Sequence, residues 1–301
     1  MEIAKSIRDI TEKQAKDDYN KLINIHPKKI DLTRLVGNKC VDYYTFSERL
    51  KTRSGKRKNV NFYDFYENPS IYLTSHAQSL YEKHVSVEID KGKTKEWSSY
   101  DFYTNWIHNP SSFKPLISKY LYEMYQPHTI LDISMGWGGR LIGAMTIPDV
   151  RYIGFDTNTD LIESYQKIVQ DLNVEDRVTL NFEDSSKADF SKYNYDMVFT
   201  SPPYFIKGGS NKPIEIYANM PSYDNYNDWV DQFFNPVMTN AWNHLQVNGW
   251  FCINTNSTDY ELLYKLFGEP CNKIDIRNRK RHASSSKSIV KSEYIYIWQK
   301  I

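Results

Sequence analysis

From about residue 110 onward, short apolar runs alternate with helical stretches at a spacing that leaves few folds open. The runs are TILDIS (129–134), RYIGFD (151–156), VTLNFED (178–184), YDMVFTS (195–201), NGWFCINT (248–255) and SEYIYIWQK (292–300). Each is the length of a buried strand, and the first ones are bounded by glycine, aspartate or serine turns. Before and between them lie helical patterns: one capped near Ser112, running through Leu116, Ile117 and Leu121 and ending before Pro127; then Leu141–Met145, Asp160–Leu172 and Ser222–Leu245. Strands that alternate with helices in this way predict an α/β fold, a parallel sheet with helices on both faces.

The first hundred or so residues have a different texture. A helix is predicted over Ile10–Ile23, followed by aromatic patches such as VDYYTF and NFYDFY. Between these patches run Arg49, Lys51, Arg53, Lys56, Arg57 and Lys58 with no acid among them, and Gly55 in their midst suggests an exposed loop. The 38 Lys+Arg and 37 Asp+Glu leave a net charge of +1, so a polyanionic partner has to be met by local patches rather than by the whole surface. A second basic stretch near the end holds Arg277, Arg279, Lys280 and Arg281, and with 49–58 it makes two such patches. No run of eighteen apolar residues is present, which excludes a transmembrane helix, and the first twenty residues lack the apolar core of a signal peptide. Cys40, Cys252 and Cys271 form neither a disulfide framework nor a CxxC pair, so reduced thiols, an intracellular location and no metal are expected. The 24 tyrosines, with many Lys, Asn and Ile, read as drift toward AT-rich codons, although surfaces that stack on bases would leave the same mark.

The chemistry is expected at the ends of the strands, because an open parallel sheet binds ligands outside their carboxyl ends. After the first strand comes Asp132-Ile-Ser-Met-Gly-Trp-Gly-Gly139, where Gly136, Gly138 and Gly139 allow close approach to a ligand; the spacing is not the dinucleotide GxGxxG. Asp156 ends the second strand, where an acid can accept hydrogen bonds from ribose hydroxyls; the alternative is a helix cap at Asp156 or Thr157. Asp184 ends the third strand and could meet an adenine amino group or simply sit in a turn. After the fourth strand stands Thr200-Ser201-Pro202-Pro203-Tyr204-Phe205. Two consecutive prolines lock two φ angles and make a stiff exit from the sheet, suited to holding a planar group against an aromatic ring.

TSPPYF after a hydrophobic strand, with DISMGWGG upstream, resembles the S-adenosylmethionine-dependent DNA amino-methyltransferases, whose signature is [S/D/N]-P-P-[Y/F/W]. The resemblance extends over roughly 105–301. It implies a Rossmann-like class I methyltransferase fold: a mostly parallel seven-stranded sheet with helices on both faces at 106–301, preceded by an N-terminal region at 1–105 concerned with target recognition. It implies S-adenosyl-L-methionine as cofactor, held by Asp132, Ser134, Gly136, Gly138, Gly139, Asp156, Asp184, Thr200 and Phe113, with Trp106 an alternative to Phe113. Ser134 stands where the family often has an aromatic residue. Ser201, Pro202, Pro203 and Tyr204 become the catalytic loop: the Ser201 side chain and the Pro202 carbonyl accept from the target amine while Tyr204 stacks on a base flipped out of DNA. Serine in the first position is the commoner choice of cytosine-N4 enzymes, which places them ahead of adenine-N6 enzymes. RNA methylation and a silent nucleic-acid-binding partner subunit are the alternatives. The two basic stretches and Lys207, in a loop at 206–223 beside the pocket, are the expected phosphate contacts.

Overall fold

A computed structural model describes residues 2–54, 59–108, 110–205, 213–276 and 293–301. Seven strands form one sheet: β1 Thr129–Asp132, β2 Arg151–Phe155, β3 Val178–Asn181, β4 Met197–Thr200, β5 Trp250–Thr255, β6 Asn272–Asp275 and β7 Tyr294–Gln299. Their order is β3-β2-β1-β4-β5-β7-β6, with β7 antiparallel to both neighbours and every other pairing parallel. This is the mostly parallel, helix-flanked sheet that the sequence predicts. The order reverses between β1 and β4, so the topological switch point lies where the glycine turn and the Pro-Pro segment leave the sheet.

Alternation along each strand divides the core in two. Ile130, Met197, Phe199, Cys252, Ile295 and Ile297 face one layer, and Leu131, Val198, Phe251, Ile253, Tyr296 and Trp298 face the other. Successive side chains on a strand point to opposite faces, and both faces here are covered. The first layer is closed by Leu116, Leu121 and Tyr122 of the helix Pro115–Tyr125, and also by Leu22 of the helix Glu12–Asn24 and Val41 of the helix Asn38–Arg49. Thr11 and Gln14 form a capping box that starts Glu12–Asn24, two residues after the predicted beginning. Pro115 at the first helical position starts Pro115–Tyr125, and Gln126 ends it at φ 48°. A separate aromatic cluster, Phe46, Phe62, Phe65, Tyr100, Phe102 and Tyr103, holds the remaining N-terminal helices together.

The long helix predicted at 222–245 begins at Tyr226, capped by Asn225, and widens into a π-helical segment at Val230–Phe234 before Asn235–His244. Pro236 lacks the N–H that an ordinary turn would use there, and a π segment accommodates such a gap. Outside the sequence expectation lie N-terminal helices such as Asn38–Arg49, Ser75–Asp90 and Lys95–Trp106 and, after β5, the helix Ser257–Phe267 and the edge strand β6. In β6 only Ile274 is buried, so it carries almost no hydrophobic signal. Among the described residues no helix is long and apolar enough to cross a membrane.

Candidate active site

The glycine turn is shaped by side chains that sequence reasoning did not single out. Tyr165 donates its hydroxyl to the carbonyls of Met135 (3.0 Å) and Gly136 (2.9 Å), and Thr45 donates to the Trp137 carbonyl (3.2 Å). Gly136 and Gly138 adopt φ of 57° and 84°, where a side chain would be strained. At Gly139 a Cβ would lie 1.9 Å from the Phe113 carbonyl oxygen, so this glycine serves the close passage of the segment before Pro115 rather than a ligand. That passage sets Phe113 edge-on to Phe199 and beneath the Arg140 guanidinium.

The two strand ends are tied together. Ser134 Oγ lies 2.8 Å from Thr200 Oγ1 and donates to the Ser201 carbonyl at 2.9 Å. The serine found in place of an aromatic therefore clasps the turn after β1 to the Pro-Pro segment after β4. Between and above them opens a cavity of about 450 Å³, a size that suits a small-molecule ligand. Of the residues singled out from the sequence, Phe113, Ser134, Gly136, Asp156, Ser201, Pro202, Pro203 and Tyr204 line it, together with Lys114, Trp137, Asn158, Glu215, Tyr217, Asn254 and Glu293.

Several expected ligands turn out to be supports. Asp132 is fully buried: its carboxylate accepts from Arg140 Nε at 2.6 Å and from the Tyr152 hydroxyl at 2.5 Å, and does not face the cavity. Thr200 is fully buried on Ser134. Gly138 backs onto Ile168 and Tyr165. Asp184 accepts from the Ser186 N–H at 2.9 Å and caps the short turn Ser185–Lys187, while its neighbours Glu183 and Ser185 line a smaller adjoining pocket. Trp106 is half exposed and stacks on Phe102, in the N-terminal aromatic cluster.

The expectation of an exposed basic loop at 49–58 is corrected at its first residue. Arg49 ends a helix with its guanidinium buried against Asp42 and over the Phe46 ring, since an arginine taken out of water requires such a partner. Lys51 pairs with Glu48, and Arg53 pairs with Asp64 at 2.7 Å while bonding the Asn59 carbonyl. Arg53–Ser54 forms a two-residue antiparallel pair with Glu215–Ile216, fastening the N-terminal region to the cavity's edge. Lys56, Arg57, Lys58, Lys207, Arg277, Arg279, Lys280 and Arg281 lie outside the described residues.

Asp156 accepts from the Gly136 N–H (2.8 Å) through one oxygen and from the Asn158 N–H (2.9 Å) through the other. Burial pushes its carboxyl up to about 6, against the two backbone donors that favour the charge. Each carboxylate oxygen keeps a further lone pair, so the residue can still take hydroxyl donors from a ligand in the cavity. A ribose diol fits that chemistry. Glu215 is likewise pushed up by burial, to about 7, with the His108 ring 3.6 Å away. The Tyr204 phenol sits 3.2 Å from Ser201 Oγ and 3.4 Å from both Asn254 Oδ1 and Glu293 Oε1, and burial raises both the phenol and the Glu293 carboxyl. Asn254 lies on β5, beside β4, so the strand-end rule could have found it; Glu293 precedes an antiparallel strand and had no such signal.

No protein-family model matches the chain. No curated protein sequence matches it either. Solved structures do align with it at low identity. TrmN from Thermus thermophilus is 13% identical with a TM-score of 0.42, over 64% of this chain and 50% of that one, so the chain spans half the length of TrmN. A SAM-dependent O-methyltransferase from Thermotoga maritima is 15% identical with a TM-score of 0.42, over 67% and 70% of the two chains. TehB from Haemophilus influenzae is 12% identical with a TM-score of 0.43, over 67% and 66%.

Proposed function

We propose that this chain transfers a methyl group from S-adenosyl-L-methionine to the exocyclic amine of a base in DNA, cytosine N4 ahead of adenine N6. The observation that carries the reading is the meeting, in one cavity, of the Asp156 carboxylate at the end of β2 with the Ser201-Pro202-Pro203-Tyr204 segment at the end of β4. Asp156 would hold the ribose hydroxyls, and Phe113, Gly136 and Trp137 the neighbouring parts of the cofactor. When bound, that cofactor supplies an electrophilic methyl on a sulfonium.

The remaining work falls to the chain's own groups. An exocyclic amine is a poor nucleophile because its lone pair is delocalised into the ring. Ser201 Oγ and the Pro202 carbonyl accept from its two N–H bonds and draw the nitrogen toward tetrahedral geometry, which frees the lone pair. Tyr204 presents its ring to the base. The two prolines keep this frame stiff, and positioning of this kind is worth up to about 7–11 kcal/mol of barrier. The N-terminal region, joined to the cavity's edge through Arg53–Ser54, and the basic stretches would meet the DNA backbone.

The test is to incubate the chain with isotope-labelled cofactor and single- or double-stranded DNA, with RNA and protein as competing acceptors, and to identify the nucleosides after digestion. Labelled N4-methylcytosine is expected. Label appearing only in RNA or protein would replace the reading, and label in no acceptor, with cofactor binding retained, would end it.

Asp156 gives a separate expectation for binding. Its carboxyl is pushed up to about 6, so the charge that attracts hydroxyl donors is present above that pH and lost below it. Cofactor affinity measured by calorimetry should therefore be steady above neutrality and fall as pH drops through about 6. Asp156→Ala should weaken binding about 10- to 100-fold at neutral pH, the worth of charge-assisted hydrogen bonds, and abolish this pH dependence. An affinity that stays flat with pH in the unaltered chain contradicts the role.

A further inference from the structure

Three carboxylates line the cavity among the described residues: Asp156, Glu215 and Glu293. Asp156 is bonded to the glycine turn, and Glu215 faces His108. Glu293 alone reaches the Pro-Pro segment, through Tyr204. Its backbone carbonyl takes the Ile276 N–H at 3.2 Å, which fixes it at the mouth of β7. Because β7 runs antiparallel, its first residues stand at the same rim as the carboxyl ends of β4 and β5: Tyr294 pairs with Thr255.

The contacts have a direction. A carboxylate and a backbone carbonyl only accept, so Tyr204 donates toward the pair formed by the Asn254 carbonyl at 3.3 Å and Glu293 Oε1 at 3.4 Å. With its own proton committed there, the phenol oxygen is free to accept from Ser201, 3.2 Å away. Ser201, having donated its hydroxyl proton to Tyr204, turns its lone pairs outward to the cavity. Both separations are long, as hydrogen bonds of a working site often are without substrate.

We propose that Glu293 is a positioning residue and proton sink: it polarises the chain Ser201–Tyr204–Glu293 so that Ser201 accepts from the substrate amine, and it receives the proton that the amine sheds after methyl transfer. The inference rests on the reading of the site as an amino-methyltransferase. After transfer the nitrogen is cationic and one N–H bond must break. That proton bonds to Ser201 Oγ as the serine proton passes to Tyr204 Oη and the tyrosine proton to Glu293. Both hydroxyls end as they began, the base is neutral, and the carboxylate has become a carboxylic acid. The groups around Glu293 are consistent with a sink: Tyr204, Asn254 from β5, and the Lys114 ammonium from the start of the helix Pro115–Tyr125, with Arg140 and Asp259 acting on Tyr204 from further away. Burial raises the carboxyl, and the hydrogen bonds from Asn254 and Tyr204, with Lys114 after them, offset part of that rise.

The experiment is the pH profile of kcat on DNA between about pH 5 and 9 for the unaltered chain, Glu293→Gln, Tyr204→Phe and the double variant, with cofactor affinity measured alongside. In the unaltered chain kcat should rise with pH to a plateau. Glu293→Gln should lower the plateau about 100-fold, within the range for assisted proton transfer, flatten the rise and leave cofactor affinity unchanged. Tyr204→Phe, which keeps the ring, should do the same, and the double variant should be no slower than either. Turnover of Glu293→Gln within about threefold of the unaltered chain, with the rise intact, overturns the inference. So do losses that multiply in the double variant. Should Glu293→Gln not fold, a Tyr204→Phe profile with its rise intact overturns it as well. A chain that methylates no base amine brings down the underlying reading, an outcome distinct from an active chain indifferent to Glu293.

Discussion

Ser201→Ala is expected to lower kcat on DNA by about 10²–10³-fold, the usual loss when one preorganised polar contact to a reacting centre is removed, while cofactor affinity stays unchanged. The expectation follows from where Ser201 sits. Its backbone is clasped by Ser134, which is itself held by Thr200, so truncating the side chain leaves the loop in place. On the proposed reading, what disappears is the lone pair that would draw the amine out of conjugation, along with the contact to Tyr204. That contact to the amine tightens as the nitrogen becomes tetrahedral, so the loss belongs in kcat rather than in KM. Tyr204→Ala should differ in a readable way. It removes a ring whose stacking on a base is worth about 1–3 kcal/mol, so KM for DNA should rise along with the fall in kcat. Single-turnover methylation with saturating and limiting DNA separates the two. Full turnover in Ser201→Ala would remove the amine-gripping role from this loop.

The sheet and the switch point were legible because both rest on local signals. Buried strands of an α/β sheet are continuous apolar runs, and MVFT and WFCINT can be little else. The Pro-Pro pair likewise fixes its backbone without help from the rest of the chain. What stayed hidden depends on partners far away in sequence. Asp132 and Asp156 end adjacent parallel strands in the same manner, yet one meets Arg140 and Tyr152 inside the core and the other meets the cavity. Only the packed arrangement tells them apart. Arg49 belonged to a run of bases in the sequence, but Asp42, two turns back on the same helical face, captures it. Glu293 reaches the site only because β7 reverses direction, and a strand's direction is not written in its own residues.

The largest loss of stability is expected from Asp132→Asn. Asp132 and Arg140 are an ion pair with almost no exposure, joined at 2.6 Å and 3.1 Å, and Tyr152 and the Ser134 N–H also bond the carboxylate. Arg140 in turn donates to the Ser134 carbonyl and lies over the Phe113 ring, so the pair spans the whole turn between β1 and the cavity. Removing one charge strands the other in the core, at a cost of about 3–5 kcal/mol. Arg140→Met should cost a similar amount for the same reason. The triple variant Asp132→Leu, Arg140→Met, Tyr152→Phe, the last so that no hydroxyl is orphaned, should regain much of the loss, because replacing a whole buried pair with apolar groups is often neutral. Its cofactor affinity should nevertheless stay low, since Ser134 and Phe113 lose the guanidinium that holds them at the cavity wall. Denaturant midpoints and calorimetry on the same four proteins read the two effects separately. If stability returns and affinity returns with it, the pair serves only the core; if stability alone returns, Asp132 reaches the ligand through Arg140 without ever touching it.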